Sequence, residues 1–128
     1  MKDLNWEGNT ILIAEDEEIN YQYIDAVLQG LGAKILHAWN GEQTIRMVED
    51  NPDINIILMD IKMPIIDGLE ATKYIKSKRP DIKIIAQTAY AMNDDRVKCF
   101  NAGCDDYLTK PIKKNLLFKS IDNLISVY

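Results

Sequence analysis

Cysteine, histidine and proline are scarce in this 128-residue sequence, which holds two, one and four of them. Cys99 and Cys104 stand without further cysteines or a histidine cluster at a metal-ligand spacing, which excludes a disulfide scaffold and a zinc site. Both read as reduced, small side chains. His37 has no acidic or cysteine partner at ligand spacing and no phosphorylatable-histidine motif around it, so it reads as a sheet-edge residue. Long apolar runs are missing too: none approaches the length that spans a bilayer, and the start, MKDLNWEGNT, lacks the apolar stretch of a signal peptide. A cytoplasmic location and no membrane contact by this domain are therefore expected. Gly-rich phosphate loops of the GxGxxG and GxxxxGK(S/T) types are absent, which weakens any nucleotide-binding reading. Positive charge is in deficit as well. With 15 Lys and Arg against 20 Asp and Glu the net charge is −5, which argues against direct nucleic-acid binding, because phosphate contacts need clustered cations.

What is present points to one folded unit. Hydrophobic residues make up 47% and charged residues 27%, and a chain of this length can bury one sizeable core but not two. Five short runs rich in β-branched residues recur with helix-like stretches between them: Thr10–Ala14, Lys34–Ala38, Ile54–Met59, Ile82–Thr88 and Asp106–Leu108. The third and fourth, near-continuous in Ile and Leu, are expected to be the most buried. A first helix is expected from about Glu17 to Gly30, with Ile19, Tyr23, Ala26, Val27 and Leu31 on one apolar face and Gly30 and Gly32 ending it. Asn40 with Gln43, Asp67 with Glu70, and Asn93 followed by Asp94 and Asp95 read as the openings of three more helices. Pro52 stops the first of these and Gly103 the last. A fifth helix should start near Lys113 and bury Leu117, Ile121, Leu124 and Ile125. Lys76–Arg79 reads as a solvated helix end. Residues 1–9, polar apart from Leu4 and Trp6, read as a lead-in or linker remnant to a domain of residues 10–128, and no effector domain is expected within these residues.

Alternating strands and helices with right-handed crossovers give a doubly wound α/β sheet, a flavodoxin-like (βα)5 three-layer sandwich with strand order 2-1-3-4-5. In such sheets ligands sit beyond the carboxyl ends of the strands at the switch point between the first and third. Glu15 and Asp16 follow the first strand, Asp60 ends the third, Thr88 ends the fourth, and Lys110 follows the fifth. This topology gathers them around one pocket.

The segments ILIAEDEE, ILMDIKMPIIDG, QTAYA and CDDYLTKPI, in that order and spanning nearly everything from Ile11 to the last helix, resemble the receiver domains of two-component response regulators. The AED start, the IDGLEAT stretch and the GCDDYLTKP ending make hybrid sensor histidine kinases the nearest subgroup. The resemblance implies magnesium-dependent phosphoryl transfer from a phosphohistidine to Asp60, with Lys110 and Thr88 assisting. It also implies that Asp16 and Asp60 ligate magnesium directly, Glu15 through water, and the backbone carbonyl of Lys62 as a further ligand, with manganese able to substitute. Elementary electrostatics agrees, since like charges about 4 Å apart cost on the order of 4 kcal/mol at an effective dielectric near 20, so clustered carboxylates call for a cation. Thr88 and Tyr107 would form the switch that alters the surface of the fourth helix, fifth strand and fifth helix. The Lys110–Pro111 bond would be cis, and Lys62 and Tyr90 would tune the phosphate lifetime. The implied partners are a histidine kinase or a histidine phosphotransfer domain, with homodimer formation open and the output partner unassigned.

Two features depart from the pattern. Glu15 replaces the aspartate common at the first acidic position, and Gln87 is a polar residue in an apolar strand that needs a hydrogen-bond partner if buried. A stand-alone regulator or phosphorelay shuttle remains the alternative to a receiver excised from a hybrid kinase, itself anchored in a membrane. Both would carry self-catalysed aspartyl phosphorylation and dephosphorylation without turnover on a separate substrate. A flavodoxin-like cofactor binder and a haloacid-dehalogenase-like phosphatase are more distant rivals, and the second lacks its DxD motif, because Asp60-Ile61-Lys62 has no second acid.

Overall fold

The computed structural model describes residues 4–89 and 93–125. Strands β1 (Thr10–Ala14), β2 (Lys34–Ala38), β3 (Ile54–Asp60), β4 (Lys83–Thr88) and β5 (Asp106–Thr109) alternate with helices α1 (Glu18–Leu28), α2 (Gly41–Asp50), α3 (Gly68–Lys78), α4 (Asn93–Ala102) and α5 (Lys114–Ile125). The strands form one parallel sheet in the order β2-β1-β3-β4-β5, as the alternation predicts. Successive side chains point to opposite faces, so the sheet carries two cores. Leu12, Ile57, Met59, Ile84 and Ala86 pack with Val48, Ala71, Ile75 and Cys99 on one face. Ile11, Ile13, Leu58 and Ile85 pack with Ile24, Leu28, Leu117 and Ile121 on the other. β1 is as buried as β3 and β4, because all three are interior strands.

Two of the three expected helix openings are capped as the sequence predicts. Asn40 accepts from the Gln43 N–H at 2.7 Å and Asp67 from the Glu70 N–H at 2.9 Å. Gly103, at φ +114°, ends α4 in a conformation that suits glycine. The side chains of Asn93 and Asp94 lie outside the described residues. α1 departs from expectation: Ile19 is 83% and Tyr23 44% exposed, Ala26 is exposed too, and the residues fully buried are Ile24 and Leu28. Both sets share helical spacing, and the sheet takes the second. α5 buries Leu117 and Ile121 fully but leaves Leu124 and Ile125 half-exposed. Lys76 is no solvated helix end, since its ammonium meets Asp105 at 2.7 Å in a partly buried pair. Trp6 is wholly buried in the second core, its ring edge-on to Phe118 and its indole N–H donating to Asp122 at 3.3 Å. Cys99 and Cys104 are free and buried.

Candidate functional site

The site lies where β1 and β3 run out. β1 delivers Glu15, and Asp16 follows in the turn before α1; adjacent β3 ends on Asp60. Oxygen atoms of Glu15, Asp16 and Asp60 lie within 4.8 Å of one another. Glu15 and Asp60 are buried, while Asp16 faces solvent. From the far side of β4 the Lys110 ammonium reaches in, 3.1 Å from Asp60 and 3.3 Å from Glu15, with Glu17 at 3.9 Å. Asp16, Asp60, Lys62, Ala89 and Lys110 line a cleft of about 210 Å³.

Gly68 sets the local architecture. The first turn of α3 presses against the end of β3 so closely that a Cβ on Gly68 would sit 2.2 Å from the Asp60 carbonyl oxygen. Only a residue without a side chain permits this approach. The Asp60 carboxylate accepts from the Lys62 N–H at 3.0 Å, and its own position follows from the register of β3 against β4, where it pairs with Gln87.

Burial and then the Glu15 charge push Asp60 up to about 7, while the Lys62 N–H and Lys110 pull the other way. Burial works against the Lys110 ammonium, but Asp60 and Glu15 outweigh it and hold its pKa above the ordinary lysine value. One ammonium therefore does not balance the carboxylates. The excess negative charge, the hard oxygen donors and one solvent-facing acid fit a small divalent cation that keeps part of its water shell.

The family model for the response regulator receiver domain matches residues 11–122. The chain belongs to that family. Among curated relatives, hybrid signal transduction histidine kinase I of Dictyostelium discoideum is 40% identical over 126 residues, covering 92% of this chain and 7% of that protein. Two-component system protein A of Emericella nidulans is 37% identical, covering 85% of this chain and 16% of its own length. This receiver thus spans a small part of the relatives it matches. Among solved structures, the receiver domain of sensor histidine kinase PA1611 from Pseudomonas aeruginosa PAO1, with a magnesium ion coordinated in its active-site cleft, superposes with a TM-score of 0.86. It is 36% identical, and the match covers 94% of this chain and 99% of that one. The receiver domain of Ssk1 from Saccharomyces cerevisiae, crystallised with the histidine phosphotransfer protein Ypd1, gives 0.85 at 28% identity, covering 91% and 88%.

The structure brings Glu15, Asp16, Asp60, Lys110 and the Lys62 backbone into one place. Thr88 is buried at the end of β4, and its carbonyl accepts from the Lys110 N–H at 2.7 Å. Tyr107 is half-buried against the first core, on the α4 side of the sheet. The Lys110–Pro111 bond is cis. Tyr90 lies outside the described residues. Gln87 is buried, and neither its Oε1 nor its Nε2 has a hydrogen-bond partner among the described residues. Sequence reasoning missed Asn20, whose Nδ2 donates to Glu15 Oε1, and the Glu17 N–H, which donates to Glu15 Oε2 at 3.2 Å. Asn20 sits in the first turn of α1, where a side chain can reach back over the helix start; that position was its signal.

Proposed function

We propose that this receiver accepts a phosphoryl group from a phosphohistidine onto Asp60, and that the acceptance switches its α4-β5-α5 surface. The observation that carries the reading is the convergence of three carboxylates within 4.8 Å, one of them 3.1 Å from a lysine ammonium. An Asp60 carboxylate oxygen forms the new bond to phosphorus as the bond from phosphorus to the donor imidazole nitrogen breaks, and the imidazole leaves with the electron pair. Lys110 neutralises charge on the transferring oxygens, and the Lys62 N–H keeps the carboxylate oriented. Magnesium held by Asp16, Asp60 and the Lys62 carbonyl, with Glu15 acting through water, would supply further charge neutralisation; manganese, which accepts the same oxygen donors, would substitute. Thr88 would then turn toward the phosphoryl group and Tyr107 would follow, remodelling a face that already exposes Val97, Phe100 and Leu116. That face is the candidate for an output partner or a homodimer.

The donor must reach Asp60 from above the sheet. Beside Lys110, a cleft of about 780 Å³ is lined by Ile19, Tyr23, Pro111 and Ile112. The apolar side chains that α1 turns away from the sheet support docking of a histidine kinase or histidine phosphotransfer domain there. The likeness to hybrid kinases supports a receiver that works within such a protein, on its cytoplasmic side, with residues 1–9 leading into a unit of residues 10–128. A stand-alone shuttle is the alternative. No helix among the described residues is long and apolar enough to cross a membrane. Lys62 and Tyr90 would set the phosphate lifetime, and Tyr90→Ala would lose phosphate faster.

Incubation with acetyl phosphate or phosphoramidate plus magnesium, followed by intact mass measurement, tests the reading. The native chain should gain one phosphoryl group and Asp60→Asn none. Equal gain by both, or none by the native chain, would overturn it.

A further inference from the structure

Glu15 is held at every hydrogen-bonding position it has. Its N–H donates to the Ala38 carbonyl at 3.0 Å, continuing the ladder between β1 and β2. Its Oε1 accepts from Asn20 and its Oε2 from the Glu17 N–H. The remaining group, the main-chain carbonyl, lies 2.8 Å from Nε2 of His37. A carbonyl oxygen only accepts, so the contact requires the proton on Nε2. His37 is one of the last residues of the edge strand, and nothing in its sequence surroundings ties it to the acids.

The imidazole is itself locked in place. It stacks on Tyr21 of α1 with ring centroids 3.6 Å apart and planes 4° from parallel. Trp39 lies against the same ring at 3.9 Å and 47°. A ring wedged between a helix residue and a neighbouring tryptophan has little freedom, so the hydrogen bond is directed rather than incidental. The carbonyl it holds belongs to the peptide unit that joins Glu15 to Asp16, and fixing that plane fixes the Asp16 N and Cα from which the side chain starts.

We infer that His37 is a positioning residue for the cation site: its Nε2–H pins the Glu15–Asp16 peptide, and the Tyr21 and Trp39 rings hold the imidazole in the orientation that does so. The inference rests on the metal reading proposed above. Groups that orient metal ligands from behind typically account for 10–100-fold in metal affinity, and here the orientation acts through the main chain.

Two substitutions separate the hydrogen bond from the stack. His37→Phe keeps a flat ring between Tyr21 and Trp39 and loses the donor. His37→Gln loses the ring and restores an Nε2–H at similar reach. Magnesium titrations of the full chain, followed by tryptophan emission and by calorimetry, should show His37→Phe with a midpoint about tenfold higher than native. His37→Gln should recover most of that loss. The melting temperature without metal should change little in His37→Phe, and its phosphorylation by acetyl phosphate at saturating magnesium should reach the native extent. A His37→Phe midpoint within twofold of native overturns the inference while leaving the metal reading intact. A shift in His37→Gln as large as in His37→Phe, or a loss of affinity matched by a loss of metal-free stability, assigns His37 to packing alone and also overturns it. Absence of any saturable magnesium response in the native chain overturns both.

Discussion

Asp60 is the residue whose chemistry and stability pull in opposite directions. Folding places its carboxyl where burial and Glu15 push the pKa up to about 7, against about 3.9 for a carboxylate in water. The folded chain therefore binds a proton that the unfolded chain has released. Stability from this group is complete below about pH 4 and is lost as the pH rises through about 7. Asp60→Asn removes the ionisation, so without metal it should melt higher than the native chain, with a gap that widens from pH 5 to pH 8; thermal melts at those two values measure it. Ile65 offers a second test at this scale. It is 73% exposed and sits at φ +73°, where a β-branched residue is strained by roughly 1–2 kcal/mol. Ile65→Gly should raise the unfolding free energy measured in urea by up to about 1 kcal/mol, and a lower value would show that its side chain packs usefully. Asp60, Asp16 and Lys110 were legible in the sequence because each follows or ends a strand whose position the alternation fixes. His37 and Asn20 were not, because their partner is one carbonyl and one carboxylate that come close only once β1, β2 and α1 are assembled.

At the scale of elements, the strands could be read almost to the residue, since runs such as TILIA and INIILM have no helical periodicity to compete with their β-branched character. Two of the caps could be read as well, because a capping side chain and the N–H it meets are only three residues apart. The buried face of α1 could not. Ile19 and Tyr23 satisfy helical spacing as well as Ile24 and Leu28 do, and only the docking of α1 on the sheet decides between them. The free pair is then left beside Lys110, where a donor would approach. α3 carries the constraint that bears on the site, because its first turn rests against the Asp60 main chain. Gly68→Ala would gain helix propensity of up to about 1 kcal/mol. It must also displace the Asp60 carbonyl, 2.2 Å from the new methyl, and overpacking of this kind costs about 1–3 kcal/mol. The variant should be less stable in urea and, because the strand end moves, should bind magnesium more weakly; an unchanged magnesium midpoint would show that α3 yields instead of β3.

Across the whole molecule, the two cores on either side of the sheet support a single acidic rim, and the rim carries more negative charge than Lys110 balances. Trp6 shows how far the second core extends: a residue in a polar segment, unremarkable by sequence, is wholly buried between α5 and the sheet. Trp6→Ala should cost about 3–5 kcal/mol in unfolding free energy, as removal of a buried large aromatic does. The rim behaves differently, because its deficit can be relieved in two ways. A cation bound only by the folded chain adds about 2.7 kcal/mol at a hundred times its dissociation constant. Neutralising Asp60 by substitution relieves part of the same repulsion, and two changes that act on one cluster are not additive. Saturating magnesium should therefore raise the melting temperature of the native chain by several degrees, and that of Asp60→Asn by much less from its higher starting point. Manganese should reproduce the pattern, and Asp16→Asn should blunt the metal response without abolishing the pH dependence that belongs to Asp60. Equal magnesium shifts in the native chain and in Asp60→Asn would mean that Asp60 is not among the groups that hold the cation.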